Sequence, residues 1–140
     1  ASDFPDTLQS GLAGLLIAKV LISDGQSEKA VSILDDLTEN LEVKWLAITR
    51  LSSLLLDLNR PGEVLKIIPE KIPDHWVGIV TDRRGDAFAT MGDFDSARKD
   101  WLTALDFYTR NPSNQDVTRF ISRKLATIDA SSREIKTKKE

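Results

Sequence analysis

No cysteine occurs in the sequence, which excludes disulfides, thiolate chemistry and cysteine-based metal sites and leaves cytoplasm and periplasm equally open. Histidine is nearly absent too. His75 stands alone, with no carboxylate cluster at ligand spacing, and reads as a solvated or capping side chain beside a helix start. A phosphate-binding glycine loop and a nucleophile elbow are both missing, so neither an enzyme nor a cofactor or metal is expected. There is no excess of charge of one sign. The 19 Lys and Arg against 22 Asp and Glu give a net charge of −3, without the basic footprint that nucleic acid requires. Long apolar runs are lacking as well. The longest, Gly11 to Ile22, is interrupted by Lys19 and falls short of the roughly 20 residues that span a bilayer. No charged segment or convincing cleavage site marks it as a signal peptide. The chain opens at Ala1 rather than methionine, which leaves an upstream anchor open.

What is present is a repeat. Gly25, Asn59 and Gly92 lie 34 and 33 residues apart in turn-like stretches, and each can take the left-handed conformation that ends a helix. Around them the same order recurs three times. Small residues (Ala18, Ser52, Gly85) come seven positions earlier, and large apolar ones (Leu21, Leu55, Phe88) four earlier. Ala30, Val64 and Ala97 follow at five positions, and Leu34, Ile68 and Trp101 at nine. The intervening segments have helical period, as in Ala97, Trp101, Leu105 and Tyr108. Helices are predicted near 7–24, 28–40, 42–58, 61–70, 74–91 and 94–110. A seventh, over 114–129, takes Ser113 as its cap. Asp93 and Asp74 are placed to cap two others, Pro61 suits a first turn, and Pro69 and Pro73 force a break. Asp93 with Asp95 reads as a cap plus a first-turn acid rather than a cation site. Residues 1–130 are expected to form one domain, and 131–140 a frayed or disordered polar tail.

A helix pair of this length with small residues at its crossing resembles the tetratricopeptide pattern. It is clearest in the third repeat, with Gly85, Phe88, Ala97, Trp101 and Ala104. The resemblance implies an all-α, right-handed superhelix of about three helix pairs with a C-terminal capping helix. Gly85 is then a packing residue where two backbones nearly touch, and Arg84-Gly85-Asp86 is helical rather than an adhesion loop. Trp45, Trp76 and Trp101 fall on apolar helical faces and read as packing between repeats.

The stretch from His75 to Leu105 further resembles the last repeat of YfgM-type ancillary subunits of the SecYEG translocon. The matching residues include Trp76, Ile79, Val80, Asp82, Arg84, Gly85, Asp86, Gly92, Asp93, Ala97, Arg98 and Trp101. That resemblance implies a soluble periplasmic domain of a single-pass inner-membrane protein. It would link the channel to a membrane-tethered chaperone and help hand over secreted clients.

The first helix of each pair should line the partner-binding surface. The groove candidates are Leu15, Lys19, Ile22, Thr49, Ser53, Leu56, Asp82, Asp86 and Ala89, with Leu12, Leu46 and Ile79 as groove or core. A generic scaffold or oligomerisation domain unconnected with secretion, or a cytoplasmic one, is the alternative.

Overall fold

The computed structural model describes residues 6–139. Residues 1–5 of the expected repeat domain and residue 140 of the expected tail lie outside the described residues. The elements are α1 (Leu8–Ser23), α2 (Ser27–Leu37), α3 (Lys44–Asp57), α4 (Pro61–Ile67), α5 (Val77–Thr90), α6 (Phe94–Thr109) and α7 (Gln115–Lys139). Short 3-10 turns stand at Asp74–Trp76 and Pro112–Asn114. No strand occurs among the described residues.

The chain divides into two compact units, with the boundary between Ile68 and Pro69. The division falls where α4 stops at Ile67 and the next helical turn waits until Asp74. Pro69 and Pro73 lie in that gap, each lacking an N–H and each disfavouring helix in the residue before it.

Unit 1 holds two helix pairs, α1 with α2 and α3 with α4, and α2 also packs on α3. Its core is Leu15, Ala18, Ala30, Leu34, Leu37, Ala47, Ile48, Leu51, Leu55 and Val64. Unit 2 pairs α5 with α6 and lays α7 on α6. Ala97, Trp101, Ala104, Ile121 and Ile128 form one buried cluster there.

The three pairs turn in one way. Gly25, Asn59 and Gly92 have φ of 77°, 57° and 83°. The residue after each donates its N–H back across the turn: Gln26 to Leu21 O at 2.8 Å, Arg60 to Leu55 O at 2.8 Å, Asp93 to Phe88 O at 2.9 Å. This closure satisfies carbonyls the helix end would leave unpaired. The residue that follows helps to start the next helix. Asp93 accepts from Ser96 N at 3.2 Å, and Pro61 stands in the first turn of α4. Ala18, Ser52, Gly85, Ala30, Val64 and Ala97 are all buried, as the small-residue pattern requires.

Four local expectations need correction. Asp74 gives no side-chain cap, and Pro73 precedes its turn instead. Ser113 is not a cap either. Asn111 takes that role for the turn at Pro112–Asn114, accepting from Ser113 N at 3.0 Å. The polar end is helical, not frayed: α7 runs 25 residues to Lys139. It contains neither glycine nor proline and ends in three lysines suited to the negative pole of a helix. Lastly, Gly85 makes room for a ring rather than for a backbone. A methyl there would lie 2.5 Å from Cδ1 and Nε1 of Trp101.

Candidate partner-binding groove

In unit 1 a groove of about 440 Å³ lies between α1 and α3, a size typical of preformed binding clefts. Leu15 and Ala18 of α1, Leu34 of α2 and Leu54 of α3 form an apolar floor. The regular spacing of α1 and α3 supplies the rest. Lys19 and Ile22 lie four and seven residues beyond Leu15, and Arg50, Ser53 and Asp57 advance along α3 in steps of three and four.

The polar groups of the groove divide into two kinds. Thr49 Oγ1 donates to Trp45 O at 2.9 Å and Ser53 Oγ to Thr49 O at 3.2 Å. Their hydroxyls are thus turned back onto the helix and add little polarity to the floor. Lys19, Arg50 and Asp57 are exposed at the rim, and none makes an ion pair among the described residues. An incoming carboxylate would therefore meet two cations without having to break an existing pair.

Five of the sequence-predicted residues, Leu15, Lys19, Ile22, Thr49 and Ser53, come together in this lining. Leu56 is half-buried on α3 and is not part of it. Leu12 is exposed and Leu46 half-buried. Sequence reasoning missed Arg50, Leu54 and Asp57. Continuing the four-residue spacing from Thr49 through Ser53 would have found Asp57; Arg50 and Leu54 each lie one residue beyond a predicted position.

Asp82, Asp86 and Ala89 belong to unit 2, on α5, and a side chain of α7 reaches the two acids. Lys124 Nζ of α7 reaches Asp82 Oδ1 at 2.6 Å and Asp86 Oδ1 at 2.7 Å. The same ammonium stands 5.0 Å from the ring centre of Trp101 and 4.9 Å from that of Phe120, within cation–π range. Trp101 Nε1 donates to Asp86 Oδ1 at 3.1 Å. Burial pushes the Asp86 carboxyl above its ordinary range, and Lys124 opposes that shift. Arg84 holds the buried Asp100 by two bonds of 2.7 and 2.8 Å. Arg98 holds Asp129 of α7. These acids serve internal ion pairs, a use that spacing on α5 alone did not disclose. Ala89 is half-buried, beside a depression that Trp101 and Phe120 also line.

No helix of the described residues is long and apolar enough to cross a membrane, and no group of three or more potential metal ligands gathers among them. Nothing among curated proteins matches the chain. A family profile described as the Tetratricopeptide repeat-like domain matches residues 1–130. With the helix pairs, the recurring turn and that match together, the chain belongs to the tetratricopeptide repeat-like domain family.

Proposed function

We propose that this chain is a protein-interaction module whose α1/α3 groove receives an apolar-anchored segment of a partner protein. Helical repeat domains of this family are typically non-enzymatic scaffolds, and a binding surface is what such a scaffold offers. The observation that carries the reading is the preformed groove itself, with an apolar floor and three rim charges that make no ion pair among the described residues. Apolar side chains of the partner would supply the affinity, and Lys19, Arg50 and Asp57 would set its register.

The partner we propose is at the secretion channel. The resemblance of His75–Leu105 to YfgM-type subunits supports it, and with it the periplasmic face of the bacterial inner membrane as the location. The module would there link SecYEG to a membrane-tethered periplasmic chaperone.

A photo-crosslinking residue placed at Lys19, and separately at Ser53, tests this in envelope extracts. Adducts with a translocon subunit or the chaperone are expected at both positions and not at Arg110 of unit 2. Adducts from Arg110 alone, or only with cytosolic proteins, would overturn the proposal.

A further inference from the structure

Alongside the groove, α1 carries a second surface. Leu12, Leu16, Ile17 and Val20 are 50%, 62%, 43% and 52% exposed, with the small Ala13 exposed among them. The repeat explains why this is anomalous. Thirty-four positions later, Ala13, Ile17 and Val20 correspond to Ala47, Leu51 and Leu54 of α3. Those three are 0%, 1% and 5% exposed, because α3 lies between α2 and α4. Helix α1 has α2 as its main packing partner and so presents the same face uncovered. Leu16 points the same way. Its counterpart in α3 is exposed and is a charge, Arg50. Where the repeat has a solvated cation, α1 has a leucine.

We infer that this face of α1 is covered by the same face of a second copy of the chain, in an antiparallel helix pair. Charge and area favour that occupant. Lys19 is the one charged residue of α1. A two-fold axis at Leu16 sets Leu12 against Val20, and Lys19 of one copy against Ala13 of the other, so no like charges meet. The exposed halves of Leu12, Leu16, Ile17 and Val20, together with Leu8, amount to roughly 500 Å² per copy, or about 1,000 Å² for the pair, near the lower limit of a specific interface. A contiguous apolar patch of that size is at the upper end of what monomers expose, where it is often functional.

Sedimentation equilibrium of the whole chain, from micromolar to sub-millimolar concentration, tests the pairing. The wild type is expected to approach twice its 15.6 kDa. Leu16→Glu and Ile17→Glu should each weaken the dimer at least tenfold, because either buries an unpaired carboxylate in each copy, while helicity by circular dichroism stays unchanged. Leu102→Glu, at an exposed apolar position of unit 2, should leave the dimer intact. A wild type that stays monomeric throughout would overturn the inference, whether the face is bare or is reserved for another protein. So would a dimer that persists undiminished in both α1 variants.

Discussion

Trp101 is the side chain around which unit 2 is arranged. It packs against the bare face of Gly85, donates to Asp86 and lies beneath Lys124. Alanine is favoured over glycine inside a helix by about 1 kcal/mol, yet Gly85→Ala is expected to destabilise the protein. Its methyl would stand 2.5 Å from a rigid indole, and overpacking of this kind costs about 1–3 kcal/mol. Urea denaturation measures the sign, and a gain in stability would show that the ring moves aside freely. Both residues were legible from the sequence as unusual. Their pairing was not, because a small residue signals a need for space without saying which neighbour fills it. Asp86 gives a pH test. Its carboxyl is raised by burial, with Lys124 opposing, so the folded chain holds this proton more tightly than the unfolded chain. The resulting stability is complete below the ordinary aspartate range and lost as pH rises through the raised value. The stability of Asp86→Asn relative to wild type should therefore rise from acid to neutral pH. A relative stability of Asp86→Asn that falls over that interval would contradict the assignment.

At the scale of elements, three identical turns carry the architecture. Each depends on one residue with positive φ, and at Asn59 that residue is not glycine. Asn59→Val is expected to cost about 1–2 kcal/mol, since a branched Cβ crowds the following carbonyl in this conformation. Asn59→Gly should be neutral or slightly stabilising. A thermal melt of the pair distinguishes conformational strain from a lost side-chain contact. The turns were fully legible because their chemistry is local. Helix α7 was legible only as far as its apolar face, through Ile128. The polar stretch beyond it looks like a tail by composition, and only the absence of glycine and proline hinted that the helix continues. Ile121 of that helix is wholly buried, in one cluster with Ala97, Trp101 and Ala104 of α6. Ile121→Ala should therefore cost about 2–5 kcal/mol through the cavity it leaves, and chemical denaturation reads that loss directly.

At the scale of the molecule, five of the groove candidates that periodicity places on α1 and α3 share one cleft lining, because one face per helix follows from the helical repeat. Counting could not show that Asp82 and Asp86 are held by Lys124, which lies 42 and 38 residues further along the chain. Nor did it show that the break at Pro69 and Pro73 begins at the boundary between two compact units. The most direct measurement is the calorimetric affinity of the crosslinked partner, purified, for the wild type and for Lys19→Trp. The tryptophan would project from an exposed position of α1 into the mouth of the groove and obstruct it without disturbing the core. Binding weakened at least tenfold, with Arg110→Glu of unit 2 binding as the wild type does, is the expected result; unchanged affinity in Lys19→Trp would contradict a groove-bound partner.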